Sequence, residues 1–139
     1  NNPAEQPALA QVGTLKSVIS QIRTIQTGES VGYGRRFIAD KPLKIATIPI
    51  GYADGISRHW GNGLGYVLIH NQKAAIVGSI CMDMCMVDIS QFPDISISDT
   101  AIAFGGKIQL YDLAKQAETI PYELMTNISE RVKRVYVTQ

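Results

Sequence analysis

Short apolar runs separated by glycine and proline turns dominate the chain. Over residues 15–25, Leu15, Ser17, Ile19, Gln21 and Arg23 share one face, while Val18, Ser20, Ile22 and Thr24 share the other. With β-branched residues dominant, this alternation predicts a strand. A turn follows at Thr27-Gly28-Glu29-Ser30, and Val31-Gly32-Tyr33-Gly34 opens a second extended piece. Residues 43–49 read as a buried strand ended by Pro49 and the loop Gly51-Tyr52-Ala53-Asp54-Gly55. The glycine-rich stretch 61–65 leads into a hairpin, with strands over 66–70 and 73–78 and a tight turn at Asn71-Gln72. Further strands are predicted over 84–89, 95–97 and 100–104. Helical spacing enters only late, in Leu110, Leu113, Ala114 and Ala117. Pro121 starts a second short helix running towards Asn127, with Thr119 or Ile120 near its cap. Alternation resumes over 132–137 as a closing strand. Seven or eight short strands with one or two short helices near the C-terminus predict a mainly β, barrel-like or sandwich domain.

Residues 1–13 show no clear period and read as a leader or linker, leaving 14–139 as one domain. The chain of 139 residues, 45% hydrophobic and 18% charged, is long enough to bury a core and has no disordered balance. It begins Asn1-Asn2-Pro3 instead of Met and is read as a fragment. No apolar run approaches the roughly 18 residues that a membrane span needs. The net charge is +1, and the one basic cluster, Arg131, Lys133 and Arg134, alternates with valines. It reads as a solvated strand face or contact patch, too sparse for a nucleic-acid footprint. Cys81 and Cys85 lie four residues apart, which in a strand means about 13 Å, too far for a disulfide. Two reduced, packed cysteines suit a cytoplasmic protein, and neither they nor His59 and His70 suggest a metal site.

Four places could carry chemistry. Tyr33 stands between two glycines after a turn, and alone it reads equally as an edge-strand aromatic packed over them. The loop 51–55 gathers Tyr52 and Asp54 at a strand end, where barrels present polar groups, although an ordinary turn has the same composition. Asp83 is an acid inside the apolar run Cys81-Met82-Asp83, and a buried carboxylate needs partners. A backbone N–H at such a kink can bind an anion. Tyr122-Glu123 begins a short helix, a setting that suits a phosphate.

In this order, these segments resemble the C-terminal domain of the alanine racemase family. The matching pieces are Gly28-Glu29-Ser30-Val31-Gly32-Tyr33-Gly34, then Ile48-Pro49-Ile50-Gly51-Tyr52-Ala53-Asp54-Gly55 with Arg58, and Ile76-Val77-Gly78. After these come Cys81-Met82-Asp83 and Thr119-Ile120-Pro121-Tyr122-Glu123, with Arg131 and Arg134-Val135-Tyr136. The match covers roughly residues 14–137. It implies a homodimeric enzyme that interconverts L- and D-alanine for peptidoglycan synthesis. Its cofactor, pyridoxal 5'-phosphate, is held covalently by a lysine of a separate N-terminal (β/α)8 barrel domain, and the pyridine ring delocalises the charge left by the Cα proton. The resemblance implies that Tyr33 is the acid/base given to the partner subunit's site, opposite that lysine. It also implies that Tyr122 binds the cofactor phosphate, that the Met82 N–H helps hold the substrate carboxylate, and that Tyr52 lines a narrow entrance walled by Asp54, Arg58 and Asp83. A phenol with an ordinary pKa of about 10 needs neighbours to work near neutral pH, and a histidine–arginine arrangement on the barrel supplies them in the family.

None of Lys16, Lys41, Lys44, Lys73, Lys107, Lys115 and Lys133 stands in a family motif. The isolated chain is therefore expected to lack racemase activity and to bind pyridoxal phosphate weakly or not at all. Three other readings compete: a serine or broad-specificity racemase of the same family, a related amino-acid decarboxylase, and a non-catalytic assembly module. The decarboxylase reading conflicts with the GYADG and CMD motifs, and the assembly module with the presence of Tyr33.

Overall fold

The computed structural model describes residues 13–137. The leader expected at 1–13 lies outside them except for Gly13. Nine strands are present among the described residues: β1 Leu15–Val18, β2 Gln21–Ile25, β3 Ser30–Val31, β4 Phe37–Ile38, β5 Leu43–Ile48, β6 Tyr66–Ile69, β7 Gln72–Val77, β8 Cys85–Asp88 and β9 Thr100–Phe104. Two short helices follow, α1 Leu110–Gln116 and α2 Pro121–Thr126. Seven strands form one sheet in the order β1-β9-β6-β7-β8-β5-β2, and β3 pairs with β4 as a separate ribbon. All pairs are antiparallel.

The single strand expected over 15–25 is broken, and the break curls the sheet. β1 and β2 are consecutive in the chain yet lie at opposite ends of the strand order. Ile19 and Ser20 make the corner. The Ile19 N–H donates to the Asp99 carbonyl at 2.9 Å, next to β9, and the Ser20 N–H donates to the Thr47 carbonyl at 2.9 Å, in β5. One alternating stretch thus changes partners half-way, as strands do at barrel corners.

Other expectations are corrected by local hydrogen bonding. Residues 31–34 are not extended beyond Val31, because Gly32 at φ 75° and Gly34 at φ 72° turn the chain into a 3-10 turn over Tyr33–Arg35. The hairpin turn falls on His70 and Asn71, both left-handed at φ 49° and 62°, the pattern of a tight two-residue turn. The segment 95–97 is no strand: the Ser96 N–H donates to the Asp99 carboxylate at 2.8 Å, a local turn that competes with a ladder. Nor is 132–137. The Arg134 guanidinium donates to the carbonyls of Ile128, Ser129 and Val132, holding the chain in a turn. Cys81 lies ahead of β8, so the two cysteines do not share a strand, and both thiols are free.

The main core draws on β5, β6, β7, β8 and β9 and on the segments between them, and α1 and α2 close it with Leu113, Ala114 and Leu124. Trp60 is buried there, and its Nε1–H donates to the Leu113 carbonyl at 3.2 Å, which ties the loop after β5 to α1. A second small core of Ile25, Val31, Ala39, Leu43, Ile45, Val77 and Met86 sits beneath the β3–β4 ribbon. That ribbon is what carries Tyr33.

Candidate active-site face

Three loops meet on one face: the 3-10 turn after β3, the loop after β5, and the segment between β7 and β8. Backbone touches backbone where they cross. Gly78 lies so close to β3 that a Cβ there would stand 2.5 Å from the Val31 carbonyl oxygen. A Cβ on Gly32 would stand 3.0 Å from the Ser79 nitrogen. The Ser79 hydroxyl donates to the Tyr33 carbonyl at 3.3 Å. The Tyr33 backbone is therefore held while its ring projects outward, 75% exposed, and its hydroxyl bonds to nothing among the described residues. A large exposed aromatic on a fixed backbone suits contact with another surface. Beside it lies a hollow of about 280 Å³, lined by Gly32, Tyr33, Cys81, Met82, Asp83 and Met84. Tyr33 and Met82 thus share one depression.

The loop after β5 lies along the Met82 segment like a short strand pair. The Tyr52 N–H donates to the Cys81 carbonyl at 3.1 Å, and the Ala53 N–H donates to the Met82 carbonyl at 3.0 Å. This approach explains Gly51, where a Cβ would fall 2.3 Å from the Met82 carbonyl oxygen. The Met82 N–H itself donates to no group among the described residues. The Arg58 guanidinium sits over the Tyr52 ring, 5.6 Å from its centroid, a cation–π contact. Next to it Arg36, Arg58 and His59 line a basic hollow of about 360 Å³.

Asp54 and Asp83, one from each loop, are joined by a residue that the sequence reading left on a solvated face. Arg131 Nε donates to Asp54 Oδ1 at 2.7 Å, and Arg131 Nη2 donates to Asp83 Oδ1 at 2.7 Å. Asp54 Oδ2 in turn accepts from the Gly51 N–H at 2.8 Å, and the Asp54 carbonyl accepts from the Ser129 N–H at 3.3 Å. The bonds to Asp54 first, then Asp83, push the guanidinium pKa above its already high value. Strand alternation in the sequence hid Arg131. The one available signal was its presence among the matching family residues.

Tyr122 stands on α2, next to Glu123. Tyr52, Thr119, Glu123, Leu124 and Asn127 are among the residues lining a hollow of about 450 Å³ between the loop after β5 and α2. Gly55, at φ 108°, fits against α2's end, where a Cβ would stand 2.5 Å from the Asn127 carbonyl oxygen. The Thr119 hydroxyl donates to the Glu123 carboxylate. Tyr122 is 64% exposed, with its hydroxyl unpaired among the described residues. The Tyr52 loop and the Met82 segment are thus bonded backbone to backbone, Arg131 joins Asp54 to Asp83, and Arg58 lies over Tyr52. Tyr33 shares a hollow with Met82 and Asp83, while Tyr122 stands on α2. Among the described residues no three His, Cys, Asp or Glu side chains gather as a metal site, and no helix is long and apolar enough to cross a membrane.

The family described as "Alanine racemase, C-terminal domain" matches residues 12–136. An alanine racemase of Alteromonas mediterranea is 43% identical over 122 residues, covering 88% of this chain and 34% of that protein. One of Vesicomyosocius okutanii is 46% identical over 125 residues, covering 89% and 35%. The chain spans about a third of the length of these relatives. Among solved structures, the biosynthetic alanine racemase of Pseudomonas aeruginosa superposes with a TM-score of 0.90 at 33% identity, covering 97% of this chain and 37% of that one. An alanine racemase of Bartonella henselae with covalently bound pyridoxal phosphate gives a TM-score of 0.85 at 34% identity, covering 89% and 34%. These relatives do not favour the serine or broad-specificity alternative. The match spans the β3 turn, both loops of the face and α2, and the chain belongs to the alanine racemase family as its C-terminal domain.

Proposed function

We propose that this chain is one part of an alanine racemase whose catalytic site is completed by an N-terminal barrel domain, with the site shared between the two subunits of a homodimer. The single observation that carries this reading is Tyr33: its backbone is held by Ser79, its phenol is exposed, and it opens on the same hollow as Met82. A side chain meant for this domain's own core would be buried. One meant for a site on another surface would be arranged as Tyr33 is.

The donor set fits a shared pyridoxal phosphate site in part. The chain offers the exposed Tyr33 and Tyr122 phenols and the Met82 N–H, and covalent attachment would fall to the barrel domain. When bound, pyridoxal phosphate supplies an electron sink for the charge left at the substrate Cα. Tyr122 would hydrogen-bond the cofactor phosphate through its hydroxyl. The Met82 N–H donates to the substrate carboxylate. Tyr33 Oη takes the Cα proton on one face, or returns one there, while a barrel group serves the other. Tyr52, with Arg58 across its ring, narrows the entrance, and Asp54 and Asp83 hold its wall. Tyr52 and Tyr33 crowding the shared site would restrict it to a side chain as small as a methyl group.

The test is Tyr33→Phe in the full-length parent enzyme, which removes the proton-carrying oxygen and keeps the ring. Racemisation should fall about 10²- to 10⁴-fold, the usual contribution of a positioned acid/base. A Tyr33→Phe enzyme within about threefold of the parent would remove Tyr33 from the mechanism.

A further inference from the structure

Asp54, Asp83 and the loops that carry them are held by one guanidinium. We infer that Arg131 is a positioning residue that fixes the outer edge where the Tyr52 loop meets the Met82 segment, and so the aperture through which substrate reaches Tyr33. The inference rests on the proposed racemase reading of this face.

The geometry supports it from both sides. Arg131 reaches Asp54 through Nε and Asp83 through Nη2, both at 2.7 Å, so its two arms are committed to two different loops. On the first loop, Asp54 Oδ2 caps the Gly51 N–H at 2.8 Å, fixing the turn that begins with Tyr52. On the second, Asp83 directly follows Met82. The two loops are already joined by backbone bonds at Cys81 and Met82, so Arg131 is not what brings them together. It fixes the outer edge, where Asp83 is exposed and nothing else among the described residues bonds to it. Arg131 is itself tethered, since its backbone N–H donates to the Ser129 hydroxyl at 3.4 Å and Ser129 bonds back to Asp54. A planar fork can span two carboxylates, whereas an ammonium is a point charge.

The experiment compares Arg131→Gln, Arg131→Lys and Asp83→Asn in the full-length parent enzyme, measuring kcat and KM for alanine alongside thermal stability. Arg131→Gln should raise KM about three- to tenfold with kcat changed less than about twofold, because binding is lost while the proton-transfer group is kept. Asp83→Asn should reproduce much of that rise with little thermal effect, since it removes an exposed ion pair. Arg131→Lys should recover only part of it. Should Arg131→Gln fail to fold, the Asp83→Asn and Arg131→Lys KM values decide. A purely structural role would lower Tm and the active fraction while leaving KM unchanged in every variant, and that result overturns the inference. Tyr33→Phe, run in parallel, separates the two claims. If it abolishes racemisation while all KM values hold, the Arg131 inference alone fails. If it leaves racemisation intact, the racemase reading of Tyr33 fails.

Discussion

At the scale of single residues, the face depends on glycines where the backbones approach too closely for a Cβ to fit without a shift. Gly51 has an ordinary extended φ of −140°, so its requirement is space: the Met82 and Cys81 carbonyl oxygens lie 2.3 and 2.4 Å from where a Cβ would be. Gly51→Ala should destabilise the domain by about 1–3 kcal/mol, the usual cost of overpacking, and should raise KM in the parent by pushing the loops apart. Chemical denaturation and steady-state kinetics check both. Cys85 gives a residue-scale prediction of another kind. Burial, with Cys81 nearby as a second cause, pushes its thiol from 9.0 up to about 12. A raised thiol pKa favours the neutral form in the folded state, so its contribution to stability is complete below about pH 9 and declines as pH rises towards 12. At pH 8 a thiol reagent should label the partly buried Cys81 in the folded protein, and Cys85 only on unfolding. Equal labelling of both in the folded state would contradict the packing described for β8.

At the scale of elements, what was legible in the sequence was what depends on neighbours along the chain. The hairpin of β6 and β7, the buried β5, both helices and the Pro121 start of α2 follow from periodicity and local turn chemistry. What was not legible depends on partners far away. The kink at Ile19 and Ser20 exists because β1 and β2 pair with strands at opposite ends of the sheet, and residues 15–25 contain no record of that. Residues 132–137 alternate like a strand but meet no strand, and Arg134 folds them against carbonyls instead. The candidate residues themselves were recognisable by family resemblance. The link from Asp54 to Asp83 spans 77 and 48 residues to Arg131, and only the fold reveals it. Gly55 tests whether the loop after β5 and α2 behave as one unit. Gly55→Ala combines a left-handed φ of 108° with a 2.5 Å approach to Asn127. It should destabilise the protein by about 1–3 kcal/mol and loosen α2, which thermal melts and amide exchange over 121–126 would register.

At the scale of the whole molecule, the proposed function gives this domain one half of a chemistry. Exposed Tyr33, Met82 and Met84 line one hollow, while the strands behind it bury the main core. In the proposed reading, the curled sheet is a mount for loops that complete a site on another domain. On its own, the chain should racemise no alanine and should show no absorbance band of lysine-bound pyridoxal phosphate when mixed with the cofactor. Such a band would move cofactor attachment onto this chain. The central claim is that Tyr33 carries the proton on one side of the substrate while a barrel group carries it on the other. The direct measurement is Cα hydrogen exchange in deuterated solvent, for each alanine enantiomer separately, in the full-length parent and its Tyr33→Phe variant. The account predicts that the variant exchanges one enantiomer at near-parental rate, exchanges the other about 10²- to 10⁴-fold more slowly, and interconverts neither. Equal slowing for both enantiomers, or parental exchange for both, would contradict it.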